Sequence, residues 1–255
     1  MPEWYIGCSG FHYKDWKNNF YPKGLGESKW FEFYCRHFNT LELNVTFYRF
    51  PQLSMLESWY KRSPLDFSFA VKVPRVITHT KQFNDAHAEL NDFYNLLQFG
   101  LKEKLGCVLF QLPPKYHYSE ENLEKILNHI HPAFRNVVEF RHESWWRDDV
   151  KEKLWLHHVI FCGVSYPGLP DKVVANDAIS YYRFHGVPKL YYSAYDEAFL
   201  KKVVNEIKGS DKVSKAYLFF NNTATNAALD NARFVQSFTG SKPLNMDAQN
   251  LEFDF

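Results

Sequence analysis

Residues 137–146 read Val-Val-Glu-Phe-Arg-His-Glu-Ser-Trp-Trp, an apolar run that ends in charged and aromatic side chains. Because successive side chains of a β-strand point to opposite faces, Val138 and Phe140 share one face, and Glu139 and Arg141 share the other. One apolar face with charges near the carboxyl end is typical of a parallel β-barrel strand, since functional groups gather at that end of such barrels. The stretch therefore predicts a barrel strand.

Similar short β-like runs alternate with amphipathic helical stretches along the whole chain. The β-like runs cover residues 4–9, 40–44, 67–73, 107–112, 137–141, 159–165, 180–185 and 216–222. The helical stretches cover residues 27–38, 52–62, 84–101, 119–131, 147–157, 195–208 and 224–238. Only the connection after the sixth run, residues 166–177, is rich in turn residues without a helical pattern.

This alternation predicts an α/β fold, a TIM (β/α)8 barrel with a parallel eight-stranded sheet, in a single domain spanning residues 1–255. A doubly wound open sheet is the alternative. It is disfavoured because no glycine-rich nucleotide-binding loop follows any strand. Asn84, Ser119 and Thr223 are predicted N-caps of three of the helices.

Composition limits the classes of partner. The chain is 45% hydrophobic and 23% charged, with a formal net charge of +1, so general attraction to nucleic acid or to an anionic membrane is not expected. The four cysteines are spread singly, which favours reduced thiols and a cytoplasmic location. No signal peptide or membrane span is predicted.

The same alternation of faces assigns the interior side chains of the barrel. Large apolar residues take the helix side of each strand, so their polar neighbours near the carboxyl ends point inward. The predicted inward residues are Glu42, Asn44, Lys72, Gln111, Glu139, Arg141, Ser165, Arg183, His185 and Asn221. Buried charges cost several kcal/mol unless they are paired, so this ring either plugs the barrel or binds a ligand.

Several motifs carry a family resemblance. They are GCSGFHYKDWKNNFYP, ELNVTFYRFP, FAVKVPRVITH, LFQLPPKY, VVEFRHESWW, YYRFHG and LFFNNTATNAALDNA. In this order, and over residues 5 to 232, they resemble the YecE-like family, domain of unknown function 72. The resemblance implies a TIM-barrel fold but no reaction. The first motif has Cys8 and Phe11 where the family commonly has Thr and Trp.

The leading functional hypothesis is an enzyme acting on a small anionic ligand that bears a phosphate or a carboxylate. Inward cations outnumber inward carboxylates, and arginine holds either anion through two hydrogen bonds. The predicted catalytic residues are Glu139, Glu42, His185 and Lys72, with a glutamate as general base and His185 as general acid. The predicted ligand-binding residues are Asn44, Gln111, Arg141, Arg183, Asn221, His142, Trp145 and Tyr48.

Two other functions stay open. One is a nucleic-acid-binding or phosphodiesterase barrel similar to abasic-site endonucleases, in which the aromatic loop FHYKDWKNNFYP would stack on bases. The other is a non-catalytic binding module. No cofactor is predicted. A divalent metal held by Glu42, Glu139, His142 and His185 is an alternative, disfavoured because Lys72, Arg141 and Arg183 would repel a cation. The oligomeric state is not determined by the sequence.

Overall fold

The computed structural model describes residues 1–241. Its parallel strands are β1 Glu3–Ser9, β2 Thr40–Leu43, β3 Ser68–Lys72, β4 Leu105–Gln111, β5 Asn136–Glu139, β6 Val159–Phe161, β7 Gly163–Ser165, β8 Ile179–Phe184 and β9 Lys215–Phe220. Its α-helices are α1 Trp30–Cys35, α2 Val45–Tyr48, α3 Leu53–Arg62, α4 His87–Leu101, α5 Glu120–His129, α6 Asp148–Leu156, α7 Glu197–Lys208 and α8 Ala227–Thr239. The predicted domain extends to residue 255, so residues 242–255 lie outside the described part.

The strands form one parallel sheet in the order β6-β5-β4-β3-β2-β1-β9-β8-β7. The two edge strands, β6 and β7, are the halves of the sixth predicted run, separated only by Cys162. The sheet therefore curves back on itself into a nearly closed barrel, and the predicted TIM-type fold is confirmed over the open-sheet alternative. No helix follows the sixth run, as predicted.

The sixth run is interrupted at Cys162, where its hydrogen-bonded partner changes from β5 to β8. The Cys162 amide donates to the carbonyl of Val138 in β5 at 2.9 Å, whereas Gly163 pairs with Tyr182 of β8. A side chain at Gly163 would lie 2.7 Å from the Tyr182 ring and 2.8 Å from the Lys172 carbonyl oxygen. Glycine is therefore required at the point where the barrel closes.

Two apolar cores confirm the predicted alternation of faces. Leu41, Phe69, Val138 and Phe140 belong to the core between the strands and the helices. The barrel interior is filled by Ala70, Cys107, Leu109, Val137, Ile160, Cys162, Val164, Ile179, Tyr181, Tyr217 and Phe219. Bulky side chains thus fill the barrel up to the level at which the polar ring begins.

One inward assignment is wrong. Val164 pairs with the inward Arg183, and Ser165 pairs with Phe184, which packs in the helix-side core. Paired residues of parallel strands point to the same face, so Ser165 faces the helices.

The predicted helix starts are only partly correct. The Ser119 hydroxyl accepts from the Asn122 amide at 3.1 Å and caps α5, as predicted. Helix α4 instead begins after Ala86, and α8 begins after Asn226, so Asn84 and Thr223 are not N-caps. None of the helices in residues 1–241 is long and apolar enough to cross a membrane.

Candidate active site at the carboxyl end of the barrel

The carboxyl ends of β2, β3, β5 and β8 bring the predicted charged side chains together. Glu42, Lys72, Glu139, Arg183 and His185 are all buried. In the register of the sheet, Glu42 lies opposite Ala70 and Gln111 lies opposite Glu139. These residues come from strands distant in sequence, so the cluster exists only because the barrel is closed.

Arg183 joins two carboxylates at the centre of the cluster. Its Nη2 donates to Glu42 Oε1 at 2.6 Å, and its Nη1 donates to Glu139 Oε2. The hydroxyl of Tyr181, two residues earlier on β8, donates to Glu42 Oε2 at 2.6 Å. Each oxygen of Glu42 therefore has a donor, and the glutamate is held as a paired carboxylate.

Glu139 is also fully engaged. Its Oε1 accepts from Arg141 Nε and from His185 Nε2, the latter at 3.0 Å. Burial alone would raise its pKa, but the positive charges of Arg141 and Arg183 outweigh this effect and hold the pKa of Glu139 well below its ordinary value. A carboxylate with such a low pKa is a poor general base near neutral pH.

His185 is a neutral imidazole. Burial, followed by the charge of Arg141, lowers its pKa to about 3. Asn221 Nδ2 donates to His185 Nδ1 at 2.9 Å, so the ring proton is on Nε2, which donates to Glu139. The predicted role of His185 as a general acid is not favoured, because the group is uncharged at neutral pH.

Lys72 differs from the other charged members. Its side chain is buried, with 8% exposure, yet within residues 1–241 no carboxylate pairs with it and no acceptor bonds its ammonium group. The Nζ lies 3.9 Å from the centre of the Phe47 ring. Burial, followed by the charge of Arg183, lowers the pKa of Lys72 to about 7. A lysine of this kind carries a substantial neutral fraction under physiological conditions.

Several enclosed polar atoms lack partners in the described structure. They include the Ser9 hydroxyl oxygen, Arg183 Nε and, just after β2, Asn44 Oδ1. Ser9 ends β1 and pairs with the inward Glu42. It was not among the predicted inward residues, although the alternation Trp4, Ile6 and Cys8 toward the helices would have identified it. Buried polar atoms without partners are uncommon, and a bound water or ligand is one way to satisfy them.

The structure places two predicted ligand-binding residues, Trp145 and His142, apart from the charged cluster. Trp145 is fully buried 4.2 Å from the ring of Phe140, on the helix side, and its indole N–H donates to the Tyr116 carbonyl. His142 Nδ1 accepts from the Ser144 amide at 3.2 Å, and its ring stacks on another histidine. Both side chains fix the loop after β5.

Three other predicted ligand-binding residues, Gln111, Tyr48 and Arg141, lie around the charged cluster. Gln111 faces inward and donates to the Leu112 carbonyl at 2.6 Å. Tyr48 is 80% exposed on α2, at the rim. The Arg141 guanidinium stacks 4.2 Å from the ring of Tyr166, a residue that no sequence pattern identified as part of the site.

The donor set does not fit a divalent metal. The oxygens of Glu42 and Glu139 already accept from arginine, tyrosine or histidine, and His142 lies outside the cluster. Among the residues that the structure describes, no group of three or more histidine, cysteine, aspartate and glutamate side chains could hold a metal ion. Removing the guanidinium groups would be necessary before a cation could enter.

The aromatic loop proposed to stack on nucleic-acid bases serves the core instead. Trp16, Phe20 and Tyr21 are buried, and the Trp16 indole N–H donates to the Thr225 carbonyl at 3.1 Å. Tyr21 stacks on Trp30 of α1 at 4.3 Å. Most of the expected stacking surface is therefore absent.

A nearly closed parallel barrel with a buried charged cluster at its carboxyl end defines a TIM-type barrel protein with a candidate active site. The chain belongs to the family "Protein of unknown function DUF72", whose model matches residues 5–251.

Related proteins extend this family assignment. The UPF0759 protein YunF of Bacillus subtilis (strain 168) is 27% identical to this chain, and the match covers 95% of this chain and 99% of YunF. YecE of Escherichia coli (strain K12) is 28% identical over 48% of this chain and 45% of YecE. The crystal structure of a DUF72 family protein from Thermotoga maritima has a TM-score of 0.84 at 28% identity, covering 94% of this chain and all of that chain.

Proposed function

We propose that the protein is an enzyme that acts on a small molecule bearing a carboxylate or a phosphate, bound at the carboxyl end of the barrel. The observation that carries this proposal is Lys72, a buried lysine with no carboxylate partner in the described residues. Burying an unpaired charge costs several kcal/mol. An anionic ligand would supply the missing partner.

The charge balance of the cluster supports an anion. Lys72, Arg141 and Arg183 face two carboxylates, Glu42 and Glu139, whose oxygens are already engaged. The Arg183 Nε also lacks an acceptor. An anion near Lys72 would favour the ammonium form, so binding near neutral pH would take up protons from solution.

The hydrogen bonds favour different roles from those expected for these residues. Glu42 and Glu139 hold the guanidinium groups in place, and His185 holds Glu139, so all three act as positioning residues. Lys72 is the group able to accept or release a proton near neutral pH, which is the property required of a general base. The enzyme assignment depends on this residue.

Binding of inorganic phosphate and of succinate tests the anion site. Urea unfolding of the wild-type protein and of Lys72→Met is measured with either anion, against sodium chloride at matched ionic strength. We expect either anion to stabilise the wild-type protein, because a ligand of the folded state adds to its stability. We expect the Lys72→Met variant to lose that effect.

Lys201→Met is the matched control. Lys201 pairs with Glu197 on the exposed surface of α7, so its loss removes a lysine without touching the cluster. Stabilisation that is equal in all three proteins, or absent from the wild-type protein, contradicts the proposal. Turnover of the bound compound then distinguishes an enzyme from a non-catalytic binding module.

A further inference from the structure

We propose that the Lys72 amine forms an imine with its substrate, so that the substrate is a small carbonyl compound that also carries a carboxylate or a phosphate. This inference rests on the proposed anion site and assigns a covalent role to one of its members. It differs from a general-base role because Nζ bonds to the substrate carbon.

The position of Lys72 suits a nucleophile. It ends strand β3, and the Thr46 hydroxyl donates to its backbone carbonyl at 2.6 Å, which fixes the end of the strand. Leu43, the last residue of β2, pairs with Val71, so the chain leaves β2 at Asn44 close to the end of β3. The amine thus extends from a rigid element, and the side chain retains 8% exposure through which a substrate can approach.

A second buried lysine shows what a purely structural role requires. Lys104 Nζ donates to the carbonyls of Tyr60 and Ser63 and to the Ser63 hydroxyl, at 2.7 to 3.0 Å. Its three N–H groups therefore all have acceptors, as a buried ammonium group with a structural role requires. Lys72 has no comparable set within residues 1–241.

The surroundings of Lys72 favour both stages of the proposed reaction: the uncharged amine that attacks, and the positively charged iminium that forms. Burial and the nearby Arg183 and Arg141 lower the pKa of Lys72 to about 7, so a large fraction of the amine is free to attack near neutral pH. The Phe47 ring, 3.9 Å from Nζ, can stabilise a protonated imine through its π-face. Arg141 and Arg183 supply charge complementary to the anionic end of the substrate.

The chemistry balances without a redox partner. The nitrogen lone pair attacks the carbonyl carbon, the C=O π electrons move to oxygen, and the proton lost from nitrogen neutralises that oxygen to give a carbinolamine. A proton from solvent then allows the hydroxyl to leave as water, and the nitrogen lone pair forms the C=N bond of the iminium.

Reductive trapping tests the imine directly. The full-length protein is incubated with pyruvate or dihydroxyacetone phosphate and sodium cyanoborohydride, with acetone as a carbonyl compound that lacks the anionic group. Intact mass and peptide mapping then locate the secondary amine. We expect one adduct per chain, on Lys72, formed at least tenfold faster with an anionic compound than with acetone.

Two variants make the result specific. Lys72→Arg keeps a cation but cannot form an imine, and Lys72→Met removes both properties; neither is expected to form the adduct. Label on Lys104 or on surface lysines alone, or equal labelling of the wild-type protein and Lys72→Arg, overturns the inference. Binding of both compounds without reductant is measured in parallel by calorimetry. If the compounds bind but no adduct is trapped, the imine is refuted and the anion site stands. If the compounds neither bind nor form an adduct, the anion site is contradicted as well.

Discussion

Arg183 Nη2 donates to Glu42 Oε1 at 2.6 Å, although the two residues are 141 positions apart in sequence. Both side chains are almost completely enclosed, with exposures of 1% and 0%. The pair joins β8 to β2 across the barrel, and Glu139 extends it to β5. The charged cluster is therefore part of the structure of the barrel as well as its candidate active site.

Replacing Arg183 with methionine is expected to destabilise the protein by about 3 to 5 kcal/mol, because two buried carboxylates lose their shared partner. Urea unfolding measures the change. Arg147→Met is the control, since Arg147 and Asp149 form an exposed pair, which is worth about 1 kcal/mol or less. Equal losses in the two variants would show that the cluster contributes nothing beyond a surface ion pair.

Lys72 is expected to make the stability of the protein increase with pH above neutrality. Its pKa is about 7 in the folded protein against an ordinary value of 10.5, so between these values the unfolded chain binds more protons. Lys72→Met should therefore be more stable than the wild-type protein at pH 7, by on the order of a few kcal/mol.

The greater stability of Lys72→Met relative to the wild-type protein should diminish between pH 7 and pH 9.5. Urea titration at each pH measures the free energy of unfolding of both proteins. Phosphate and other anions are omitted from the buffers, because they would mask the unpaired charge. A difference between the two proteins that does not change with pH would mean that Lys72 is not perturbed.

His185 is expected to contribute to loss of stability in mild acid. Its pKa is about 3 when folded against an ordinary value of 6.5, so the unfolded chain takes up an additional proton as the pH falls below 6.5. In His185→Gln, the slope of the free energy of unfolding against pH should decrease between pH 6.5 and pH 5. The slope is the relevant quantity, since the substitution also changes the hydrogen bond to Glu139. An unchanged slope would mean that the folded protein protonates His185 normally.

Ser9 and Ser180 provide a matched pair for the candidate site. Both hydroxyls are enclosed and unpartnered in the described structure, but Ser9 faces inward, whereas Ser180 is adjacent to the inward Tyr181 and so faces the helices. Neither Ser9→Ala nor Ser180→Ala should destabilise the protein, because each removes an unsatisfied polar group. Only Ser9→Ala should weaken phosphate binding, by roughly up to tenfold for one hydrogen bond. Calorimetry of both variants measures this, and an equal effect would exclude Ser9 as a ligand-binding residue.

All four cysteines are expected to be inert to a thiol-specific disulfide reagent in the folded protein. Cys8, Cys35, Cys107 and Cys162 are free and buried, and burial raises their pKa, that of Cys107 to about 12. Absorbance of the released thiolate should show no reaction within minutes in buffer and four equivalents in guanidinium. Rapid reaction of any cysteine before unfolding would contradict its burial.

Much of the fold could be predicted because two periodicities are local properties of the chain. Alternation along β5 sends Val138 and Phe140 to the helices and Glu139 inward, and the register confirms this without exception for Glu42, Lys72 and Arg183. The helix starts were less predictable, since α4 and α8 begin without a side-chain cap. Trp145 was misplaced because alternation no longer applies once the strand ends.

The sequence by itself determined the inward side chains of most strands, because successive side chains of a strand alternate between its two faces. Ser9 and Ser165 are the exceptions, since the first was not predicted to face inward and the second faces the helices. Only the tertiary structure decided the chemistry of the inward side chains. The pairing of Glu42 and Glu139 with Arg183, the neutral state of His185 beside Asn221 and the lack of a carboxylate for Lys72 in residues 1–241 depend on contacts between strands far apart in sequence. Protonation follows from burial and neighbouring charge, and both are set by closure of the barrel.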